Sequence, residues 1–175
     1  MTRTKLAALG LSLAVVSVPV YEGIRLVDYR DPVGIPTACM GHTVTAVVGT
    51  HRALDECFAL MYADVYAHHR HVQRLVKVPL QPHQHAALVH FTYNVGPAAL
   101  ARSTLLRKVN ARDFEGAAHE FGRWVYATKQ GRKVLLPGLV ARRAHEAAMF
   151  RGEVPLDQKA FERLPLGGAA HEDRR

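Results

Sequence analysis

Apolar residues in the middle of the chain recur at three-, four- and seven-residue steps, through Leu54, Phe58, Met61, Val65, Val72 and Val76. That period marks one face of a helix, so the pattern predicts a long amphipathic helix over 54–76. "VPLQP" interrupts it. Pro82, whose missing N–H is harmless in a first turn, opens a second helix to Tyr93 that contains Leu88, Val89 and Phe91. "NVGP" stops that helix with Gly96 as its C-cap. Ser103 and Asp113 are N-cap residues for two further short helices. Pro137 opens the last, "PGLVARRAHEAAMF", and beyond Glu153 weak periodicity and a polar end predict a frayed tail over 154–175. No internal repeat interrupts this order.

Ahead of residue 54 the pattern differs. Arg3 and Lys5 precede fifteen uncharged residues, Leu6 to Val20. As a helix this run spans about 22 Å at roughly 1.5 Å per residue, short of the roughly 30 Å of a hydrocarbon core. Its length suits the apolar region of an export signal. No Ala-x-Ala closes it, and the best cleavage point follows Ser17 with Val15 at −3. A buried structural helix is the other reading of the same run. "YEGIRLVDYRD" continues the helical pattern for a few residues and then loses it. "DPVG" has the residues of a type I turn, and "IPTACMGHTVTAVVG" carries the β-branched residues of a short hairpin in which Pro36 restricts its strand to an edge. The whole reads as an α+β chain: a small mixed lobe, a long helix, then a helical bundle. A cleft between lobes would have Glu22 and Asp31 on one lip.

Charge narrows the partners without choosing one. Twenty-three Lys and Arg against fifteen Asp and Glu give +8 and a pI near 9.9, a surface drawn to nucleic acid, anionic lipid or an acidic wall polymer. Cys39 and Cys57 form no CxxC motif. They are two reduced core residues or, because the strand and the start of the long helix should pack together, one disulfide if the chain reaches an oxidising compartment.

Chemistry concentrates in residues 22–37. Two carboxylates in different surroundings suffice to split a glycosidic bond: one delivers a proton to the leaving oxygen while the other stays ionised and handles water or the sugar cation. Glu22 ends an apolar stretch beside Tyr21, Ile24 and Leu26, and half-burial favours the protonated form an acid needs. Asp31 opens a polar turn beside Arg30, which suits the ionised partner, and the Thr37 hydroxyl can hold a water. Spacing alone does not distinguish this from an ordinary turn aspartate.

"YEGIRLVDYRDPVGIPTACMGHT" resembles the opening of phage lysozymes related to the T4 type, in which Glu, eight residues, Asp, five residues and Thr recur; Glu22, Asp31 and Thr37 match without a gap. The resemblance continues through "ALVHFTYNVG", "STLLRKVN" and "RWVYATKQGRKVLLPGLVARRAHE", covering roughly residues 20–152. It implies a lysozyme-like, mainly helical fold with a small N-terminal hairpin lobe. It also implies an endolysin that hydrolyses the β-1,4 bond between N-acetylmuramic acid and N-acetylglucosamine in peptidoglycan, as a monomer, for host lysis. Glu22 is then the general acid, and Asp31 with Thr37 positions the attacking water, with inversion. No cofactor and no metal are implied. Some members carry a signal-anchor-release segment. That implies an organisation of residues 1–20 as anchor, 21–153 as catalytic domain and 154–175 as tail, with the protein first tethered to the inner membrane and then periplasmic. Two departures, "ACMGHT" without an aromatic before the glycine and the longer "YATKQGRKV", bear on substrate fit.

Other residues have plainer readings. Asn94 caps its helix or faces the sugar chain. His42 supports the site through hydrogen bonds or, like Asn94, contacts the substrate. Trp124 is a core anchor. Arg102, Arg107, Lys108, Arg142 and Arg143 read as solvated helix faces, with Arg142, Arg143 and Glu146 as a helix surface supported by charge pairs. "HHRH" at 68–71, with His83, His85 and His90, reads as a solvated face because neither HExxH spacing nor a completing carboxylate or Cys is present. The rival classes are a basic nucleic-acid-binding protein, which leaves Glu22 and Asp31 without a role, and a wall-binding protein that has lost catalysis.

Overall fold

The computed structural model describes residues 2–31, 34–129 and 131–154; of these, the side chains at 3, 13, 16–22 and 129 lie outside the description. So do Pro32 and Val33 of the expected turn and, Val154 apart, the expected tail. The described chain divides into two compact units, Ser17–Ala63 and the residues up to Val16 together with those from Asp64 onward.

In the first unit, the small lobe, helix α1 (Arg3–Glu22) ends before Gly23, which adopts φ 65°, a conformation open to a residue without a Cβ. The helical pattern thus runs on through Tyr21 and Glu22 and is then lost, as expected. With the helix broken, "RLVDYR" forms strand β1 (Arg25–Arg30), antiparallel to β2 (Pro36–Cys39). Tyr29 faces Thr37 in register, but pairing is irregular between Arg25 and Tyr29. Over that stretch β1 bonds instead to a following loop: Asp28 N donates to Thr50 O, Gly49 N to Asp28 O and Arg52 N to Leu26 O, at 2.9, 2.9 and 2.8 Å. A disulfide joins Cys39, at the end of β2, to Cys57 in the first turn of α2 (Leu54–Leu75), with Cα atoms 5.2 Å apart.

The helical body follows the periodicity closely. Helices α3 (Pro82–Val95), α5 (Thr104–Asn110), α6 (Phe114–Glu120) and α7 (Pro137–Arg151) open at the expected prolines and N-caps, and α3 closes at Gly96; α4 (Pro97–Arg102), between α3 and α5, was not expected. Ser103 Oγ accepts from Leu106 N at 3.0 Å, Asp113 Oδ1 from Gly116 N at 2.9 Å, and Gly96 takes φ 84° at the end of α3. Gln84 to Thr92 of α3 are all buried, so this helix is the axis of the core. Phe91 meets Phe121 and Trp124 edge-on at 5.4 and 5.2 Å, the anchoring role expected of Trp124. A second hairpin, β3 (Tyr126–Lys129) with β4 (Arg132–Leu135), occupies the stretch read only as a longer turn.

Two readings of polar residues reverse. Arg143 and Glu146 are not a helix surface: each is 1% exposed, and Arg143 Nη2 donates to Glu146 Oε1 at 2.8 Å. Each neutralises the other, and the guanidinium also lies over the Phe91 ring at 5.1 Å, which makes burial tolerable. The histidines are not a fully solvated face either, since His69, His85 and His90 are buried and His68, His71 and His83 half-buried. Burial pushes the imidazole of His85 down to about 4 and that of His90 to about 3, so both rings are held neutral. His85 Nε2 lies 2.9 Å from His69 Nδ1 in a buried hydrogen bond.

The first part of α1 belongs to this body. Gly10 lies so close to α3 that a Cβ on it would stand 2.7 Å from His85 Cβ and 2.9 Å from Pro82 O. Ala14, one turn on, is fully buried. Among the described residues, no helix is long and apolar enough to cross a membrane.

Candidate active site

Asp31 and Thr37 meet at the backbone of a single residue, Ile35. The expected turn brings the chain back on itself, with Gly34 N donating to Asp31 O at 2.9 Å. Ile35 N then donates to Asp31 Oδ1 at 2.8 Å, and Ile35 O accepts from both Asp31 N at 2.9 Å and Thr37 Oγ1 at 3.0 Å. The carboxylate is thereby oriented by one of its oxygens. The Thr37 hydroxyl, only 4% exposed as a residue, has spent its proton on Ile35 and keeps acceptor capacity. Glu22 is the last residue of α1, immediately before Gly23; its side chain is outside the description.

His42 supports this hairpin from behind. Its backbone pairs with Ala38, next to Thr37, through Ala38 N to His42 O at 2.7 Å and His42 N to Ala38 O at 3.0 Å. Its Nε2 accepts from Thr45 N at 3.1 Å, which puts the proton of a neutral ring on Nδ1. Asn94 belongs to the helical body. It does not cap α3: Gly96 N donates to Thr92 O at the cap, while Asn94 Oδ1 accepts from Arg143 Nη2 at 2.9 Å.

One pair passed over in the sequence is Asp28 with Arg52. Asp28 is 2% exposed, and its carboxylate accepts from Arg52 Nη2 at 2.9 Å, Arg52 Nε at 3.2 Å and Val47 N at 2.9 Å. The Arg52 guanidinium holds the Asp28 carboxyl below the ordinary aspartate value, against the opposing effect of burial. An acidic residue among the β-branched and aromatic residues of "RLVDYR" was the available signal, since a buried carboxylate requires a cation or several donors. Among the described residues, no group of three His, Cys, Asp or Glu side chains is arranged to hold a metal ion.

The phage lysozyme family model matches residues 19–146, which include Glu22, Asp31 and Thr37. The chain belongs to the phage lysozyme family. It is 40% identical over 129 residues to the SAR-endolysin of Escherichia phage Mu, a span of 74% of this chain and 73% of that relative. The endolysin from Escherichia coli O157:H7 phage FAHEc1 superposes with a TM-score of 0.73 at 31% identity, covering 83% of this chain and 92% of that one. The muramidase domain of SpmX from Asticaccaulis excentricus gives 0.72 at 32% identity, covering 81% and 93%. This phage lysozyme therefore has the lysozyme-like, mainly helical α+β fold and is an enzyme of the muramidase type.

Proposed function

We propose that this phage lysozyme is an endolysin that cleaves the β-1,4 bond between N-acetylmuramic acid and N-acetylglucosamine during host lysis, acting as a monomer without a cofactor. Glu22 donates its proton to the leaving glycosidic oxygen as the bond to the anomeric carbon breaks. A water held by Thr37 and Asp31 attacks that carbon from the opposite face and passes its proton to the Asp31 carboxylate, giving inversion. The observation that carries this reading is the convergence of Asp31 and Thr37 on the backbone of Ile35, with Glu22 ending α1 in the same lobe. Asn94, bonded to Arg143, is a candidate contact for the glycan, and His42 a supporting residue. Glu22→Gln retains the side-chain shape but has no transferable proton, so clearing of purified cell wall in a zymogram should be almost abolished, as with Asp31→Asn. Clearing at the wild-type rate by either variant overturns the assignment.

Residues 6–20 serve in this reading as a signal-anchor that tethers the chain to the inner membrane before its release into the periplasm, leaving 21–153 as the catalytic domain. Relatives named SAR-endolysin support this. So does α1 itself: a cut after Ser17 would remove the segment whose Gly10 and Ala14 are buried in the body and leave four residues before Glu22. Mass spectrometry of the soluble periplasmic enzyme should find an intact N-terminus. A mature start near Val18 rules the anchor out.

A further inference from the structure

Residues 43–53 of the loop that flanks the hairpin bury little apolar surface of their own. Between β2 and α2, Val44 and Val47 are 84% and 65% exposed, so their side chains do little to hold the loop in place. Besides its backbone bonds to β1, one guanidinium ties it down. Arg52 donates to Asp28 through Nε and Nη2, to Thr45 O at 3.0 Å and to Glu56 Oε1 at 2.6 Å, while Asp28 also takes Val47 N.

These contacts lead to both sides of the hairpin. On one side Asp28 lies in β1, three residues before Asp31, within the stretch where β1 pairs with the loop instead of β2. On the other, Thr45 contacts His42 through both its backbone N–H and its hydroxyl, and His42 pairs with Ala38, the neighbour of Thr37. Loosening the guanidinium therefore leaves the strand leading to Asp31 and the turn behind Thr37 with backbone bonds alone, and weakens both together. We infer that Asp28 and Arg52 are positioning residues for catalysis, fixing the register in which Asp31 and Thr37 share the backbone of Ile35. This rests on the proposed reading of Asp31 and Thr37 as the water-holding pair. A planar fork on a buried carboxylate suits the task because it fixes direction as well as distance. A displacement of about 1 Å at reacting groups is enough for roughly a hundredfold loss of rate.

The test compares Asp28→Asn, Arg52→Met and Arg52→Lys with Glu56→Gln and Asp31→Asn on soluble peptidoglycan fragments. Each is assayed well below its own melting midpoint, with the Cys39–Cys57 bond verified. Asp28→Asn and Arg52→Met should lower kcat by about tenfold or more with KM nearly unchanged. Arg52→Lys keeps the charge without the fork and should recover only part of that loss, while Glu56→Gln, at the outer end of the guanidinium, stays near wild type. A wild-type kcat in folded Asp28→Asn and Arg52→Met, with only the melting midpoint lowered, makes the pair purely structural and overturns the inference. If neither folds, Arg52→Lys carries the test by the same criterion. Wild-type turnover in Asp31→Asn instead overturns the catalytic reading beneath it. Loss in Asp31→Asn beside full kcat in the Asp28 and Arg52 variants removes only the positioning role.

Discussion

The two units of this lysozyme hold themselves together by different means. In the helical body, Leu88, Phe91, Leu100, Leu105, Phe121 and Phe150 are all fully or almost fully buried, and Phe91 meets Phe121 and Trp124 edge to face. The small lobe has a much thinner apolar centre, chiefly Ala38, Met40, Met61 and the two cysteines. It adds a disulfide and a shielded ion pair. A lobe of this size cannot remove enough apolar surface from water to offset chain entropy by packing alone, so cross-links take the place of area. The body has surplus packing and can accommodate Arg143, Glu146 and three histidines inside it.

The largest effect should follow from removing the body's central ring. Phe91→Ala is expected to destabilise by about 4 kcal/mol, read from chemical denaturation, because both the transfer of the ring and the cavity left behind count against the fold. A loss below about 1 kcal/mol would mean that packing is not what holds the body. Next comes the lobe's covalent link. Cys39→Ser, or reduction of the bond, should cost about 3 kcal/mol on the loop-entropy estimate, and limited proteolysis should cut first within 25–53 while the body's helices stay protected. Simultaneous cleavage of both units would erase the distinction.

Acid should separate the units by pH. His85 and His90 hold off protons until about pH 4 and 3, whereas the unfolded chain takes them up from about pH 6.5. Their contribution is therefore complete above the unfolded value and is lost as pH falls, at about 1.4 kcal/mol per pH unit for each ring, or 2 to 3 kcal/mol for both between pH 6 and 5. Asp28 has its value lowered by Arg52, so its contribution is present above the ordinary aspartate range and is lost only at lower pH. Hydrogen exchange across a pH series should show α3 of the body loosening before β1 of the lobe. The reverse order would contradict the burial of those imidazoles. The smallest effect tests local against tertiary support: Ser103→Ala removes the bond to Leu106 N and should cost about 1 kcal/mol in melting experiments.

What could be read along the chain was local. The α2 stripe, the openings at Pro82 and Pro137 and the caps at Gly96, Ser103 and Asp113 depend on neighbours within a few residues, and each appears where expected. Strand β1 depends on partners more than twenty residues away at Thr50 and Arg52, so nothing within "RLVDYR" announced the pairing. The buried charges failed for the same reason. Arg143 and Glu146 have a spacing that is equally good on a surface, and only the proximity of α3 makes it an interior one. His69 needed His85, sixteen residues on, to become a buried partner rather than a wet ring. Glu22, Asp31 and Thr37 were legible as a spaced motif. Their common anchor, the backbone of Ile35, was not, because a main-chain group leaves no mark in a sequence.

Gly10 makes one position answer differently in two settings. In a helix on its own, replacing glycine by alanine strengthens the helix by roughly 1 kcal/mol. Against α3 the same methyl group would meet His85 Cβ at 2.7 Å and the Pro82 carbonyl oxygen at 2.9 Å, neither of which is the yielding tip of a long side chain. One added carbon thus favours the unseated helix and penalises the seated one. The missing methyl acts as a ballast on α1, leaving the segment a poorer helix when alone and a better fit once home.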